Sequence, residues 1–456
     1  MPLNKPLSEK MQTILYFIKK EKLFLIFLLF IHSAYFFYAV TYANIYTGDS
    51  DEYLQTAVNL KEHQESYNFI WTENKILEYY SLRPPLYGVF ILIVKSVYNS
   101  DYFVIFIQNI ISLFIWIYIL FLSKDLKIPS KLPFIIIATL LLFPSQSILV
   151  NSIMSDIILQ LWFVLSLSML VYFFKTKKTS FLITYNVFLI LAVYTKPALM
   201  YFWIPNMFFS FYLYTINKNI MVLASSLLLP LSIFIWCNRN ENKTGYFHFS
   251  SIKTQNILSL NAGDVMKLTI GAPESTSVRK RILETANKLN YKEKNEFIIA
   301  ASTRIIKDNI LIYSYAHLKG MLNFMLATGR VDMVTFFPYK PEKEISIIKE
   351  IENNGLSGLK YYIDNVNLYL IIYMFFILLW NILLFLSTLS FYFTSEIHPA
   401  IKIFIIVIIG YICFVCGTAG YARFKMALLP FIVLTVPPFI NSFKKRFYVE
   451  KPVSSI

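Results

Sequence analysis

Charged residues are scarce in this sequence. Asp, Glu, Lys and Arg make up 15% of the 456 residues, whereas hydrophobic residues make up 57%. So few charges cannot cover the surface of a soluble protein of this size, and the composition excludes an ordinary soluble fold. Apolar runs of about 20 residues, each long enough to cross a bilayer, recur along most of the chain. The sequence therefore predicts an all-α polytopic membrane protein.

Cysteine and glycine are also scarce, with 3 and 12 residues respectively. Cys413 and Cys416 form a C-x-x-C pattern inside the apolar run YICFVCG, where packed thiols are expected rather than a disulfide, a redox pair or a metal site. With so few glycines, we do not expect close contacts between small residues to be the main way in which the helices pack. Because the acidic residues lack the spacing of metal ligands, we expect no catalytic metal and no cofactor.

The net charge of +15 would suggest nucleic acid as a partner of a soluble protein. Here much of the positive charge lies in short loops between apolar runs, where it sets the topology and contacts anionic lipid headgroups. We therefore expect membrane lipids as partners, and no nucleic acid.

About ten apolar runs are candidate transmembrane helices. They cover residues 23–43, 102–123, 131–149, 155–174, 180–196, 198–215, 219–237, 365–390, 400–418 and 425–441. The stretch 84–98 is shorter, carries Lys95 and opens with two prolines. If it crossed the membrane, the basic loops 124–131 and 175–178 and the basic tail 444–446 would lie outside. The positive-inside rule instead favours a re-entrant or surface position for 84–98, with both termini in the cytoplasm.

With this orientation, the predicted spans and the long segment between them divide the chain into three parts. Residues 1–237 form an N-terminal transmembrane module with an acidic outer loop at 44–101. Residues 238–364 form a small, mostly helical extracytoplasmic domain, and residues 365–456 form the C-terminal transmembrane helices and a cytoplasmic tail. We expect a multi-pass protein of the plasma (inner) membrane whose active site faces outside.

An acidic segment follows the first apolar run. Residues 47–60, TGDSDEYLQTAVNL, contain Asp49, Asp51 and Glu52, and their apolar positions recur at helical spacing. This pattern predicts an amphipathic helix at the membrane surface that holds carboxylates near the lipid headgroups. Two structural alternatives stay open: Asp49 and Glu52 resemble a capping box, and the helix dipole favours Asp51 and Glu52 in a first turn.

A basic motif comes next, Arg83 to Tyr87 with the sequence RPPLY. Its two prolines suit the start of a helix, so a helix should begin here with its free amides outward. An arginine at such a start predicts a phosphate-binding site. An interfacial anchor that contacts lipid headgroups is the alternative.

Four later residues lie at the expected outer ends of spans. Asp156 is costly there unless it is paired or faces a wet cavity, and helix capping is its alternative role. Lys196, just before Pro197, is predicted to contact phosphate or to snorkel towards the interface. Arg239 and Arg423 oppose the usual bias against positive charge on the outer side, and anion binding is the predicted reason.

Acids and cations predicted on one side of the membrane suggest displacement at a phosphate-bearing lipid. A sugar linked to polyprenyl phosphate already has a good leaving group, so the site needs cations rather than a general acid. A hydroxyl acceptor then needs one carboxylate as general base. Glycoside hydrolysis differs in using two carboxyl groups.

The order of the chain's motifs resembles that of the GT-C glycosyltransferases. The likeness is greatest to the bacterial relatives of protein O-mannosyltransferases and aminoarabinose transferases, which are glycosyltransferase family 39-like. The resemblance covers most of the chain and implies a GT-C-like bundle of about ten transmembrane helices plus interfacial helices. The matching residues are Asp49 with Tyr53 and Ala57, Arg83 to Tyr87 where the family has K/R-P-P-L-Y, Asp156, Thr195 to Pro197, Trp236 with Arg239 and Asn240, and Arg423.

This resemblance implies an inverting transferase with a polyprenyl-phosphate sugar as donor and a glycan, lipid or protein as acceptor. Asp49 matches the family's catalytic base, and Arg83 its contact to the lipid phosphate. Ser50 follows Asp49 where the family commonly has Glu, so Asp51 and Glu52 stay alternative bases. The other implied substrate-binding residues are Tyr87, Asp156, Lys196, Arg239 and Arg423.

Two other functions stay open. A flippase or transporter of lipid-linked sugars would place ionisable groups at mid-membrane and show internal repeats, whereas these charges gather at expected outer helix ends and no repeat is visible. A glycan polymerase or ligase would also use outer arginines, but it has no clear need for the Asp49 segment.

Overall fold

The computed structural model of the protein describes residues 16–128, 131–337 and 347–448. Parts of three predicted features lie outside this description: residues 129–130 of the loop 124–131, residues 338–346 of the domain 238–364, and the side chains of the basic tail 444–446.

The described chain is helical and contains no β-strand, which confirms the predicted all-α class. In chain order the helices are α1 Lys22–Tyr42, α2 Ser50–His63, α3 Leu86–Val97, α4 Asp101–Asp125, α5 Leu132–Leu142, α6 Pro144–Val150, α7 Asp156–Thr176, α8 Ser180–Thr195, α9 Trp203–Asn217, α10 Ile220–Ser226, α11 Leu228–Thr244, α12 Ile252–Asn256, α13 Gly263–Ile270, α14 Ala272–Ala286, α15 Tyr291–Asp308, α16 Ile310–Leu326, α17 Arg330–Phe336, α18 Ile347–Asn365, α19 Leu368–Thr394, α20 Pro399–Cys416, α21 Ala422–Lys425 and α22 Leu429–Tyr448. Shorter helical turns occur at Leu77–Tyr80, Pro197–Leu199, Ile257–Ala262, Gly417–Ala419 and Met426–Leu428.

Within the described ranges, seven stretches are long and apolar enough to cross a membrane. They are Lys22–Tyr42, Asp101–Asp125, Asp156–Thr176, Ile220–Thr244, Leu368–Thr394, Pro399–Ala419 and Ala422–Phe443. Helices α5 and α6 would form an eighth span, bent by 77° at the break before Pro144. By length and composition, the protein is therefore a multi-pass membrane protein.

Two of the ten expected spans fall on shorter helices. Helices α8 and α9 have 16 and 15 residues. At 1.5 Å per residue they are about 23 Å long, less than the roughly 30 Å of a bilayer's hydrocarbon core. Helix α3, with 12 residues, is shorter still, and the sequence predicts that it does not cross. Ten crossings stay a prediction.

Helix α7 lies near the centre of the bundle. In the most apolar 18-residue stretch of α7, 67% of the residues are buried inside the protein, whereas in that of α1 the share is 28%. Its neighbours include α8, α4 and α22. Asp156 is the first residue of α7, so its carboxylate lies where several helices meet.

Helices α2 and α3 pack closely through Gly88. A methyl group added at Gly88 would lie 2.5 Å from Cγ2 of Thr56, closer than side chains approach one another. The Thr56 hydroxyl donates to the Glu52 carbonyl oxygen and accepts from the Asn68 side-chain amide, both at 2.6 Å. The glycine therefore sets how closely the RPPLY helix lies against the acidic helix.

The segment predicted as an outer domain divides into two parts. Its first helices share a small hydrophobic cluster of their own around Leu258, Ala286 and Ile298. Helices α16 and α17 instead bury Phe324 and Phe336 in the main core. The second part therefore reaches the transmembrane bundle directly.

We predict that Gly88→Ala lowers the stability of the detergent-purified protein by about 1–3 kcal/mol, because overpacking forces α2 and α3 apart. Thermal unfolding would measure the change. Adding Thr56→Ser removes the clashing methyl group while keeping the hydroxyl, and should restore part of the loss.

Gly410→Ala is the matched control, because a methyl group there meets nothing within 4 Å. It should leave stability unchanged or slightly raised, since alanine favours a helix. Equal stability of Gly88→Ala and wild type would contradict the close packing of α2 on α3.

Candidate functional site

Six charged side chains form a chain of alternating charge, named here the six-residue network. In order they are Glu52, Arg83, Asp49, Arg423, Asp156 and Lys196. Arg83 contacts Glu52 through Nε at 2.5 Å and Asp49 through Nη2 at 2.9 Å. Arg423 contacts Asp49 through Nη2 at 2.8 Å and Asp156 through Nε at 3.3 Å. Lys196 pairs with the other oxygen of Asp156. Three acids and three bases leave these six residues without net charge.

Helix ends bring these residues together. Asp49 immediately precedes α2, and Glu52 lies in its first turn. Asp156 begins α7, Lys196 follows the last residue of α8, and Arg423 lies in α21. Because these helix ends lie side by side, residues far apart in the sequence contribute their side chains to one cluster. All six were candidate site residues by sequence, and the structure places them in contact.

Asp49 does not cap its helix. The residue stands at the N-cap position, but its carboxylate makes no cap hydrogen bond. The Ser50 hydroxyl accepts from the Thr47 backbone N–H at 2.8 Å and donates to the Ile153 carbonyl oxygen at 3.0 Å. The capping-box alternative is therefore not what the structure has, and both oxygens of Asp49 are left for the arginines.

Arg83 is held in place from several sides. Its backbone N–H donates to Oδ1 of Asn68 at 2.8 Å, and its guanidinium lies 5.8 Å from the ring centre of Tyr53. Tyr53 is buried, with its hydroxyl 3.0 Å from that of Ser155, the residue before Asp156. Tyr53 thus links the acidic helix to the start of α7. The sequence offered it only as a motif position one turn after Asp49.

Arg423 depends on a buried lysine two residues later. Lys425 is fully buried, and its ammonium donates to the Met325 carbonyl oxygen at 2.8 Å and to Oδ1 of Asn381 at 2.9 Å. The Asn381 side-chain amide also donates to the carbonyl oxygen of Ala327 at 3.0 Å, so Asn381 and Lys425 together satisfy carbonyls at the C-terminal end of α16 that lack partners within the helix. Gln160 of α7 donates to the Met426 carbonyl oxygen at 2.5 Å. These contacts fix the short helix that carries Arg423.

Asp49 and Glu52 differ in their affinity for protons. Burial alone would raise the pKa of Asp49, but Arg423 and Arg83 together outweigh it and hold the pKa below its ordinary value. For Glu52, burial raises the pKa and Arg83 offsets this only in part. Arg83 uses one oxygen of Glu52, and the other has no hydrogen-bond partner among the described residues. Asp49 is therefore the firmly charged acid, and Glu52 accepts a proton more readily.

Three sequence candidates lie outside the network. Asp51 is exposed and pairs with no described cation. Tyr87 is fully buried, and its hydroxyl donates to Gln108 at 2.5 Å, because α3 turns this side chain towards the core.

Arg239 binds a different part of the acidic loop. It pairs with Glu65 and donates to the carbonyl oxygens of Tyr80 at 2.6 Å and Ser66 at 3.0 Å. Glu65 lies just after the C-terminal end of α2, and the length of that helix separates it from Asp49 by about 20 Å. In this structure Arg239 fastens the loop 64–83 rather than joining the network.

One acid near the network escaped sequence reasoning. Asp332 on α17 interacts electrostatically with Arg423 and Asp156, and burial raises its pKa. It makes no ion pair with a described residue, and its carboxylate lies beside Gly329 and Ser145. No motif marks this position, since the surrounding segment matches no pattern that we recognised.

In the ranges covered by the structure, no group of three or more His, Cys, Asp or Glu side chains is arranged to hold a metal ion. No protein-family model matches the sequence, and no curated protein matches it significantly. Any family membership and activity therefore have to be proposed from the residues.

We predict that Asp49→Asn costs about 1–3 kcal/mol at neutral pH, because two charge-assisted hydrogen bonds weaken. The depressed pKa means that Asp49 stabilises the fold above its unfolded pKa, near 4, and that this stabilisation is lost as pH falls through the lower folded pKa. The wild-type advantage should therefore shrink below about pH 4. Thermal unfolding of both proteins from pH 7 to 3 would measure it.

Asp51→Asn is the control, since that carboxylate is exposed and unpaired. Its difference from wild type should stay small over the same pH range. An Asp49→Asn difference that does not change with pH would contradict a stabilising charge at Asp49.

Proposed function

We propose that the protein is an integral-membrane inverting glycosyltransferase that moves a sugar from a polyprenyl-phosphate donor to a hydroxyl acceptor. The observation that supports it most is the six-residue network. It gathers two arginines and a lysine around carboxylates at helix ends, the groups that phosphate binding and proton removal require. The motifs that resemble those of GT-C glycosyltransferases include five of these six residues, all except Glu52.

The cations would serve the phosphate. Guanidinium groups bind phosphate oxygens through paired N–H donors, and Arg83 and Arg423 converge on a single point from two sides. Charge on the departing polyprenyl phosphate would be stabilised there, so no proton has to be supplied to the leaving group. Lys196 would add positive charge from the far end of the network.

A carboxylate would serve the acceptor. The acceptor oxygen attacks the anomeric carbon, its proton passes to the carboxylate, and the carbon–oxygen bond to phosphate breaks with its electron pair leaving on the phosphate. One such displacement inverts the anomeric configuration. Asp49 is the base that the resemblance implies, and Glu52, with its unpaired oxygen, is the alternative that the geometry favours.

The topology belongs to the same proposal. About ten crossings with cytoplasmic termini would place the network at the outer face of the plasma membrane, with the segment 238–364 on that side. The basic loops support this orientation through the positive-inside rule.

We predict that a cysteine at Glu62 reacts with a membrane-impermeant maleimide in intact cells, whereas one at Lys178 reacts only after the membrane is opened. Both positions are exposed. The native cysteines, of which Cys237 and Cys413 are buried, would first be replaced by alanine. The reverse labelling pattern would invert the orientation.

We predict that Asp49→Asn and Arg83→Ala each lower sugar transfer at least about a hundredfold, the lower end of the ranges for general-base catalysis and for electrostatic stabilisation of a leaving group, respectively. Asp51→Asn should keep most of it. The assay would supply membranes containing each variant with a radiolabelled polyprenyl-phosphate sugar pool. Glu52→Gln in the same series decides between the two candidate bases.

Full transfer by Asp49→Asn would assign the base elsewhere. No transfer by wild type, with labelled lipid nonetheless changing leaflet, would favour a flippase over a transferase.

A further inference from the structure

Asp49 is shared between two arginines. Its Oδ1 accepts from Nη2 of Arg83 and its Oδ2 from Nη2 of Arg423, at 2.9 and 2.8 Å. Each oxygen of Asp49 is therefore engaged by an arginine, whose positive charge weakens the carboxylate as a base. In this arrangement the residue that the resemblance assigns as base is occupied by the cations that the proposed function assigns to the donor.

Each arginine has a second anchor that does not involve Asp49. Arg83 donates from Nε to Glu52, and Arg423 donates from Nε to Asp156. Asp156 is fully buried and also pairs with Lys196. If Asp49 withdrew, these contacts would keep both guanidinium groups oriented, with their Nη2 atoms free for another anion.

Asp49 is also better placed to withdraw than Asp156, the other acid that contacts Arg423. Its side chain is 22% exposed, whereas that of Asp156 is 0% exposed. It stands before the first residue of α2 rather than within the helix, and the position of the preceding Gly48 has open space around it. A small rotation could move its carboxylate off the arginines without unwinding α2.

We propose that Asp49 occupies the donor's phosphate subsite while the site is empty, so that the donor phosphate displaces it from Arg83 and Arg423 and thereby frees it to accept the acceptor's proton. This inference rests on the proposed function and specifies where the phosphate lies. Two non-bridging phosphate oxygens take the places of the two carboxylate oxygens between the same two Nη2 atoms.

The exchange would couple donor binding to catalysis. While the arginines hold Asp49, its carboxylate is a poor base, because opposite charges stabilise the ionised form. Once the phosphate takes those contacts, Asp49 becomes more basic and gains a free oxygen. The acceptor is then activated only when a donor is present, and the donor's apparent affinity is reduced by competition with Asp49.

The test measures binding of sugar-free polyprenyl phosphate to the purified full-length protein, by native mass spectrometry. Competition predicts that Asp49→Asn binds this lipid about fivefold or more tightly than wild type, which is the lower end of typical coupling between sites. Asp51→Asn, which removes the same charge two residues later without freeing an arginine, should bind within about twofold of wild type. Arg83→Ala should bind weakly.

Each other outcome has a defined meaning. Equal or weaker binding by Asp49→Asn overturns the shared subsite while leaving the proposed transferase intact. Equal tightening in Asp49→Asn and Asp51→Asn reduces the effect to general charge and also overturns it. If phosphatidylglycerol competes as well as polyprenyl phosphate, the site takes any anionic lipid. No binding to any variant, wild type included, removes the proposed function itself.

A second measurement uses the wild type, so it does not depend on the variant folding. Carbodiimide labelling of Asp49, read by peptide mass spectrometry, should increase when polyprenyl phosphate is added and stay unchanged with the uncharged polyprenol. Labelling that falls or stays constant with polyprenyl phosphate would contradict displacement.

Discussion

The guanidinium of Arg423 holds the two ends of the chain in one site. It contacts Asp49, 374 residues earlier, and Asp156, 267 residues earlier. Neither acid could stay charged in a partly or fully buried position without a cation, because removing a lone charge from water is very costly. Without Arg423, Asp49 would keep only Arg83 and Asp156 only Lys196, so the short helix α21, the acidic loop and the start of α7 stabilise one another where they meet.

A network of this kind places its charges where a membrane protein tolerates them. Its members lie at the ends of helices or in the turns between them, rather than at the middle of an apolar span, where ionisable groups are most expensive. Equal numbers of acids and bases cancel at close range, so the network can be dense in charge without a strong net field. Supporting contacts from Tyr53, Asn68, Lys425 and Gln160 keep the charged side chains aligned. In the proposed transferase, this alignment would lower the cost of reorganising these groups during the reaction.

The same ion pairs that stabilise the network would oppose the binding of an anionic ligand. They occupy the arginine and lysine groups that such a ligand would need, so its binding would have to replace ion pairs with contacts to the ligand. The structure divides the roles: Glu52 and Asp156 anchor the arginines through Nε, while Asp49 occupies their Nη2 atoms. Asp332 of α17 is a fourth acid next to the six-residue network. It links the segment 238–364, which matches no known motif, to the residues whose motifs resemble a known family.

The sequence by itself determined the membrane class and the helical fold, and it named the six members of the network among nine candidate residues, because hydrophobic run length, helix-start signals and costly charges near span ends are local properties. The order of its motifs also predicted one site for Asp49, Arg83, Asp156, Lys196 and Arg423, and the structure brings these five side chains into contact. Their function stays a prediction. It could not decide that Tyr87 faces the core or that Arg239 pairs with Glu65, since both depend on how α3 and the loop 64–83 rotate against their neighbours. Nor could it identify Asp332, the hydrogen-bond partners of Lys425, or which oxygen of Asp49 accepts from which arginine. Those features depend on side chains brought together from distant segments, and only packing in three dimensions sets such distances.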